Sequence, residues 1–440
     1  MSEVAFPAGW LGIRMKYTSS LKGRLGWQGL KAEEYRDDGP FVVSSAHFRK
    51  DRIVWDMCPH VSWERYRLDA NIQLREGDVL LMKDGAALGK LAFLDRLPGP
   101  ACLNSHLLLF RPRGKSYEPR FLYYYMGTTL FQDYILVRGT GATFLGVSQE
   151  TIGNHELRLP PIGEQRAIAN FLDRKTTAID ALIVKKERLI DLLQEKRQAL
   201  ITQAVTKGLN PNVPMKASGV EWLGQIPATW EVLPIRRILS RLEQGWSPES
   251  EDRRAEGDEW AVLKLSAVSR GRFRPDENKV LPPDVSPELR YQVRAGDLLV
   301  TRANTPLLVG DACFVEHTPG QLMLPDLIYR LTLDERRALP AFVAQVLLSA
   351  PLRGRITSDA RGSSMTMAKV SGGHIRSWLI PLPGTLDEQR RIVQHVGSAC
   401  RHIDETCHKI AMQLDLLREY RQGIITAAVT GKIDVSKEAA

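Results

Sequence analysis

Two stretches of the chain carry apolar residues at helical spacing over a long distance. Intervals of three, four and seven separate these residues, and neither stretch contains proline. The apolar stripe consists of Leu172, Ile179, Leu182, Leu189, Leu193 and Leu200 in the first stretch and of Val396, Ile403, Ile410, Leu417 and Ile424 in the second. The pattern predicts two coiled-coil helices of about 43 residues, roughly 65 Å each, that end at Gly208 and Gly431.

The two predicted helices are copies of one another. Residues 164–206 align without a gap to residues 388–430, and about 18 of the 43 positions are identical, which is far beyond chance. Weaker similarity links residues 75–81 to residues 294–300. We therefore interpret the chain as two copies of one unit, a mixed domain followed by a long helix. The helices are expected to pair with each other because one chain supplies both, although pairing between chains is the alternative.

The regions outside the helices show short alternating apolar runs between Gly, Pro and Asp residues, which predict strands with a few short helices. The fold class is therefore predicted as α+β, with two mixed α/β domains. The predicted boundaries are a first mixed domain at 1–156, a long helix at 157–207, a linker rich in Pro, Gly and Asn at 208–224, a second mixed domain at 225–378 and a second long helix at 379–434.

The composition of the chain indicates a class of binding partner and a cellular compartment. The formal net charge of +9 favours a polyanionic partner such as nucleic acid over a purely solubilising role. The five cysteines are odd in number and have no framework spacing, which indicates a reducing compartment. We see no signal segment and no apolar run long enough to cross a bilayer, so we expect a soluble cytoplasmic protein without a membrane partner.

Basic residues interleaved with aromatic and small residues are candidates for contacts to DNA phosphates. In the two mixed domains they are Arg14, Lys16, Arg24, Arg270, Arg272 and Arg274. Two Gly-rich segments could add exposed amides and hydroxyls, and their candidates are Arg138, Thr143, Arg361 and Ser363. An ordinary solvated face or a plain turn is the alternative for each of these residues.

None of the candidate catalytic motifs in the sequence matches the full pattern of its class of site. Residues 85–91 resemble a phosphate-binding loop but are one residue too short and lack the Ser or Thr that would hold magnesium. Residues 275–279 contain the letters of a metal-dependent nuclease, but the acids are adjacent instead of coming from separate strands. Cys400, His402, Cys407 and His408 correspond to Thr176, Ala178, Ile183 and Val184 in the first helix, so packing explains them better than metal binding. We therefore predict neither a catalytic nor a metal site.

Four segments carry a resemblance to a known family: residues 159–166, 197–209, 210–230 and 420–435. Together they resemble the specificity subunits of Type I restriction–modification systems, over essentially the whole chain. Residues 380–389, slightly longer than their first copy, are a minor departure from the repeat.

This resemblance implies a division of labour. Each mixed domain would be a target-recognition domain that reads one half of a split double-stranded DNA sequence, and the long helices would pair antiparallel. Two modification subunits would dock on the helices and methylate adenine with S-adenosylmethionine, and restriction subunits would add ATP- and Mg-dependent translocation and cleavage. This chain would be a non-catalytic, prokaryotic subunit without a cofactor of its own. The candidate docking residues on the helices are Glu164, Gln165, Arg166, Arg197, Glu388, Gln389, Arg390 and Arg421.

The resemblance also predicts which residues read bases and what sets the gap between the half-sites. Polar side chains at the ends of corresponding strands are the candidates to read bases: Lys83, Asn104, His106, Arg302, Asn304 and Arg330. The two domains would contact DNA about 34 Å apart, one helical turn, and helix length would set the gap between half-sites. Two alternatives remain, a sequence-specific DNA-binding protein that works alone and a nuclease that acts alone.

Overall fold

The chain forms two compact units in the computed structural model, which describes residues 6–23, 30, 32–49, 52–141, 145–360 and 367–435. The first unit comprises Met1–Lys186 and Met412–Ala440, and the second comprises Glu187–Ala411. Each unit therefore contains one mixed domain together with part of both long helices. This arrangement confirms the predicted α+β fold class with two long helices.

The first mixed domain alternates short strands and short helices. Its strands are β1 (Leu11–Arg14), β2 (Ser19–Gly23), β3 (Tyr35–Val43), β4 (Phe48–Arg49), β5 (Arg52–Ile53), β6 (His60–Val61), β7 (Val79–Met82), β8 (Leu91–Phe93), β9 (Ala101–Leu103), β10 (Leu107–Pro112) and β11 (Glu156–Leu159). Its helices are α1 (Met15–Thr18), α2 (Trp63–Arg67), α3 (Pro119–Met126), α4 (Thr129–Val137) and α5 (Gln149–Gly153). The first long helix follows as α6 (Ile162–Lys207).

The linker and the second mixed domain repeat this order. The strands are β12 (Met215–Ala217), β13 (Gln225–Pro227), β14 (Glu231–Pro234), β15 (Leu239–Gln244), β16 (Ala261–Leu263), β17 (Val268–Ser269), β18 (Arg272–Phe273), β19 (Asn278–Val280), β20 (Leu298–Thr301), β21 (Ala303–Asn304), β22 (Ala312–Phe314), β23 (Leu322–Met323), β24 (Ile328–Leu333), β25 (Ala368–Lys369) and β26 (Leu379–Leu382). The helices are α7 (Pro340–Leu348), α8 (Ala350–Asp359) and α9 (Gly372–Ser377), followed by the second long helix α10 (Leu386–Val429).

The sheets of the two domains share one topology. The first domain has a four-stranded antiparallel sheet in the order β2-β10-β7-β8, and the second has β15-β24-β20-β22. In a second sheet of each domain, β3 pairs parallel with β9 and β16 pairs parallel with β23. The strand before each long helix pairs with the first strand of its own domain, β11 with β1 and β26 with β14. The internal duplication seen in the helices therefore extends to both domains.

A turn conserved between the copies fixes the edge of each main sheet. The Asp78 carboxylate accepts a hydrogen bond from the backbone N–H of Arg75 at 2.7 Å, and Asp297 accepts from Arg294 at 2.9 Å. The glycine before each aspartate, Gly77 or Gly296, has a positive φ of 84° or 98°, which glycine adopts without strain. The similarity between residues 75–81 and 294–300 is thus the sequence of a turn that leads into β7 or β20.

Both long helices begin later than the predicted ranges 157–207 and 379–434. Residues 156–159 and 379–382 are strands instead, whose hydrogen bonds to β1 and β14 keep the backbone extended. Pro160 and Pro161, or Pro381 and Pro383, extend this segment because proline lacks the N–H and restricts the residue before it. The helices themselves contain 46 and 44 residues.

The helices pair antiparallel within each unit, along a seam that differs in part from the predicted stripe. Leu172 and Ile179 are buried as expected, but Leu182 and Leu189 are 42% and 44% exposed. The seam instead continues through Ile183, which is 7% exposed. The sequence prediction failed at Leu182 and Leu189 because apolar residues three and four positions apart both fit a helical stripe, and only the partner helix selects between them.

The second domain packs against the long helices through an apolar core. In the second unit one cluster joins Ile201 and Val205 of α6 and Ile392 of α10 to the buried side chains of the domain, including Trp230 and Trp378. No helix in the described part of the chain combines the length and the apolarity needed to cross a lipid bilayer.

Candidate nucleic-acid interface

Three predicted base readers of the first domain lie together at one end of its main sheet. Lys83 follows β7, and its backbone N–H donates to the carbonyl of His106 at 3.0 Å. The His106 ring contacts the Asp84 carboxylate, and the Lys83 ammonium lies 3.8 Å from the same carboxylate. Asn104 accepts a 2.9 Å hydrogen bond from the Ser105 hydroxyl. The His106 side chain is 61% exposed, so this cluster can present both donors and acceptors to a ligand.

The same backbone arrangement occurs in the second domain with other side chains. The N–H of Arg302, which follows β20, donates to the carbonyl of Leu327 at 2.8 Å, as Lys83 does to His106. Asn304 lies two residues further on and accepts from the N–H of Thr305 at 2.8 Å. The Asp326 carboxylate accepts a 2.5 Å hydrogen bond from the Ser247 hydroxyl. The two domains therefore share a frame and differ in the groups that they display on it.

Sequence analysis missed three polar members of these clusters, Asp84, Ser105 and Asp326. A signal for them exists in the repeat. Ser105 and Asp326 each stand two residues before the matching strand β10 or β24, and Asp84 directly follows the predicted reader Lys83. Their side chains orient the neighbouring groups, so they belong to the candidate interface.

Arg330 does not belong to it, which corrects the prediction that it reads a base. Its side chain is 11% exposed and lies between Glu243 at 3.0 Å and Asp297 at 3.3 Å. It also donates to the backbone carbonyl of Gln292 at 2.8 Å. In the first domain Arg111 binds Asp78 at 2.7 Å and the carbonyl of Gln73 in the same way. Arg330 is therefore the structural support of the turn before β20, and its donors are already occupied.

The pKa of the buried Asp78 carboxylate, in the turn before β7, depends on its hydrogen-bond partners. Burial raises the pKa of Asp78, and hydrogen bonds from the Arg111 side chain and the Arg75 backbone oppose that rise. These hydrogen bonds favour the ionised carboxylate and therefore offset part of the effect of burial on its pKa.

The predicted phosphate contacts of the first domain have mixed surroundings. Arg14 is exposed, whereas Lys16 is half-buried and donates to the Asn154 side chain at 2.8 Å. The exposed Arg138 stacks on the Tyr134 ring, with 4.1 Å between the guanidinium carbon and the ring centroid. Arg14 and Arg138 remain suited to a phosphate, while the Lys16 ammonium already has a partner. The other candidates in Gly-rich or basic segments lie outside the described residues: Arg24, Thr143, Arg361 and Ser363.

The basic hairpin of the second domain turns toward the long helices. Arg272 of β18 forms an ion pair with Asp404 of α10, and the carbonyl of Arg270 accepts from the Arg197 side chain of α6 at 3.1 Å. Arg274, beyond the hairpin, is exposed. Among the described residues, Arg274 is the one of the three predicted phosphate contacts for which no contact with a long helix is seen. The predicted role of Arg272 in phosphate binding is therefore replaced by a contact to the helix scaffold.

Several predicted docking residues hold the long helices to their own domains. Gln165 is 2% exposed; its amide oxygen accepts from the N–H of Glu118 and its amide nitrogen donates to the carbonyl of Pro160, both at 2.8 Å. Gln389 is fully buried and makes the corresponding bonds, both at 2.9 Å, with the N–H of Leu339 and the carbonyl of Arg337. These glutamines cannot contact another subunit.

The other docking candidates divide into paired and exposed residues. Arg421 binds both carboxylate oxygens of Asp180 on the partner helix, at 3.0 and 3.1 Å. Arg197, its counterpart in the repeat, lies 3.9 Å from Asp404. Glu388 accepts from the Trp230 indole at 3.0 Å. The three candidates whose side chains remain largely exposed are Glu164, Arg166 and Arg390.

Buried titratable groups elsewhere in the described chain are packing elements. Burial lowers the pKa of His155 to about 4, and the neutral ring binds the Tyr125 hydroxyl at 2.9 Å. Burial raises the pKa of Cys58 to about 12 and also raises that of Cys400, so both thiols are poor nucleophiles. No group of three or more potential metal ligands occurs among the described residues.

Comparison with known proteins agrees with this geometry. Residues 33–190 match the family model described as the Type I restriction modification DNA specificity domain. The chain is 31% identical over 198 residues to the EcoEI specificity subunit of Escherichia coli, an alignment that covers 45% of this chain and 33% of that relative. It is 24% identical over 364 residues to the EcoKI specificity subunit of Escherichia coli K12, covering 81% and 75%.

The chain is a relative of the Type I restriction specificity subunits. Another relative of the same kind comes from the archaeon Methanocaldococcus jannaschii, at 22% identity over 83% of this chain and 81% of the relative. The resemblance seen in the sequence is thereby confirmed.

Solved structures show the same fold. A chain from a structure on complex assembly and conformational transition of a type I R-M system superposes with a TM-score of 0.70 at 17% identity, covering 98% of this chain and all 100% of that one. The HsdS subunit of Thermoanaerobacter tengcongensis superposes with a TM-score of 0.51 at 15% identity, covering 97% and 98%. The two-domain architecture is therefore shared with known specificity subunits.

Proposed function

We propose that this chain is the DNA-reading specificity subunit of a Type I restriction–modification complex and that its two domains read separate halves of a split target. One observation carries this proposal: the two domains use the same backbone frame to display different side chains. Lys83, Ser105 and His106 occupy the places that Arg302, Asp326 and Leu327 occupy in the second domain. A shared frame with different donors and acceptors is what reading two different half-sites requires.

The relation to specificity subunits supports a role without catalysis. We propose that the methyl donor S-adenosylmethionine is bound by the modification subunits, and ATP and Mg by the restriction subunits. The chain itself would select the DNA and hold the catalytic subunits on it. Because its target is DNA and its relatives are bacterial and archaeal, we assign it to the cytoplasm of a prokaryotic cell.

Grooves on the long helices are better docking surfaces than the residues predicted from sequence. In the first unit, Phe171, Leu416, Tyr420, Ile424 and Ala427 line a groove of about 580 Å³. Leu416 and Tyr420 are 62% and 56% exposed, which is high for large apolar side chains on a paired helix. We propose that this groove receives one modification subunit.

The second unit has a groove at the corresponding part of the other long helix. It has a volume of about 730 Å³ and is lined by Glu195, Gln198, Ala199, Thr202, Gln203, Thr206, Lys207 and Ala350. Its lining is more polar than that of the first groove at the position where Gln203 stands in place of Ala427 of α10. Two grooves in a duplicated chain fit two modification subunits, one for each unit.

Replacing Tyr420 with Ala is expected to weaken the binding of one modification subunit by roughly ten- to thirtyfold. The exposed ring is the type of residue that contributes most to an interface, about 1–2 kcal/mol or more when truncated. Titration of purified modification subunit into this chain, followed by calorimetry, measures the effect. Leu182→Ala, an exposed apolar residue of α6 outside both grooves, is the matched control and should leave binding unchanged. Equal affinities for both variants would exclude this groove as a docking site.

Base-resolved methylation sequencing tests the function as a whole. DNA is taken from cells that produce this chain together with its modification subunit, and from cells that lack this chain. We expect an adenine-methylated sequence in two parts separated by a fixed gap, present only when the chain is present. An active methyltransferase without any such sequence would contradict the proposal. Sequence-specific binding by the purified chain alone would then favour a DNA-binding protein that acts by itself.

A further inference from the structure

The hairpin β17–β18 of the second domain makes a close contact with both long helices. Its turn residues Arg270 and Gly271 have positive φ values of 50° and 79°, the pattern of a two-residue hairpin turn. A Cβ at Gly271 would stand 2.5 Å from the Leu348 side chain, so glycine is required there. Arg270 is the only residue besides glycine with a positive φ in the described chain.

The strained turn is held from two sides. The buried Asp311, 3% exposed, accepts the backbone N–H of Arg270, while the Arg270 carbonyl accepts from Arg197 of α6 at 3.1 Å. A non-glycine residue rarely adopts this conformation and persists in it only where its surroundings fix it. The conformation of the turn is therefore fixed by hydrogen bonds to Asp311 and to Arg197 of α6.

An ion-pair cluster completes the contact. Asp404 of α10 pairs with Arg272 of β18 and lies 3.9 Å from Arg197 of α6, so one carboxylate links the domain to both helices. The Asp404 side chain is 23% exposed and that of Arg197 is 13% exposed, which reduces screening by solvent. We call Arg197, Arg270, Arg272, Asp311 and Asp404 the hairpin clasp.

The described part of the first unit shows a different arrangement. Asp180, the counterpart of Asp404, is bound through both oxygens by Arg421 alone among the ion pairs of the described residues. Lys90 stands directly before β8, where Asp311 stands before β22, and donates to the carbonyls of Ser45 and Phe48 at 3.2 Å. Among the residues that the structure describes, the clasp is seen in the second unit.

The clasp lies far from the covalent connection between the domain and its helix. The second domain joins α10 at Leu386, and Asp404 lies about 27 Å further along that helix at 1.5 Å per residue. The apolar core attaches the domain to the helices around Ile201 and Ile392, and the clasp extends this attachment along α10 to Asp404, which further restricts the angle of the domain. Residues at the clasp therefore control how the domain is oriented on the helices.

We propose that the hairpin clasp is a positioning element that sets how strictly the gap between the two half-sites is read. This inference rests on the proposed reading of a split target. A gap changed by one base pair moves a half-site by about 3.4 Å and rotates it by about 36°. A domain held by the clasp cannot follow that displacement, and a domain released from it can.

The test measures gap selectivity in the complete complex with modification subunits. The substrates carry the two half-sites, found by methylation sequencing, at the native gap and at gaps one base pair shorter and longer. For Arg272→Ala and Asp404→Ala we expect methylation at the altered gaps, relative to the native gap, to rise roughly three- to tenfold. Discrimination against changes within each half-site should stay as in the wild type. The double variant should equal Asp404→Ala, because Asp404→Ala already removes the ion pair that Arg272 forms.

Two further variants separate positioning from a loss of stability. Arg272→Lys keeps the charge and should restore part of the gap selectivity. Arg336→Ala removes an exposed arginine of the same domain, whose ion-pair partner is Asp334, and should leave selectivity unchanged. If the wild-type complex discriminates strongly between gap lengths and the clasp variants discriminate equally strongly, the positioning role is overturned. The proposed function would stand in that case. A wild-type complex that methylates no gapped site would overturn the proposed function and this inference with it.

Discussion

Inserting seven residues into each long helix, after Lys186 in α6 and after Ile410 in α10, should lengthen the gap between half-sites and leave the half-sites unchanged. The two positions correspond in the repeat, and the boundary between the two compact units falls beside both of them. Seven residues keep the heptad register of the seam and add about 10 Å to each helix, equivalent to about three base pairs. Methylation sequencing of cells that carry the variant measures the new gap.

The control for this experiment is an insertion of seven residues into one helix only. It breaks the register between the helices beyond the insertion, so methylation should fall at every gap. A variant with both insertions that still methylates the native gap would show that helix length does not set the spacing. A change in either half-site would show that the helices take part in reading bases, which the polar clusters at Lys83 and Arg302 do not suggest.

The duplication and the periodicity account for most of what could be predicted from the sequence. Apolar spacing identified both long helices, and the ungapped match between them implied one fold used twice. The alternation of short apolar runs identified strands such as β7 and β20 but could not pair them. Their sheet order depends on contacts between residues far apart in the chain, which no local pattern reports.

Individual roles were harder to predict because they depend on the partner of each side chain. Gln165 and Gln389 are polar residues at the start of a helix, where sequence suggests exposure, yet each binds the backbone of a neighbouring short helix. Arg330 alternates with apolar residues along β24 like a surface residue, and only the fold reveals Asp297 opposite it. Lys83 and His106 were found because both stand at strand ends, where a frame shared by two domains exposes side chains.

Replacing Gln389 with Leu is expected to lower the free energy of unfolding of the second unit by about 2–4 kcal/mol. The substitution leaves the N–H of Leu339 and the carbonyl of Arg337, which are partly buried, without their partner, and each such loss costs about 1–3 kcal/mol. The melting temperature of that unit should fall by roughly 5–15 °C, measured by calorimetry. Gln394→Leu, at an exposed position of the same helix, is the matched control and should shift it by less than about 2 °C.

Gln165→Leu should have the same effect in the first unit, where the N–H of Glu118 and the carbonyl of Pro160 lose their partners. The two glutamines share no hydrogen-bond partner and belong to different compact units, so their effects should add within about 0.5 kcal/mol in the double variant. If the first transition moved as much with Gln389→Leu as with Gln165→Leu, the two units would unfold together as one cooperative block. Independent transitions would instead mean that each unit maintains its own reading domain, as a chain that recognises two unrelated half-sites requires.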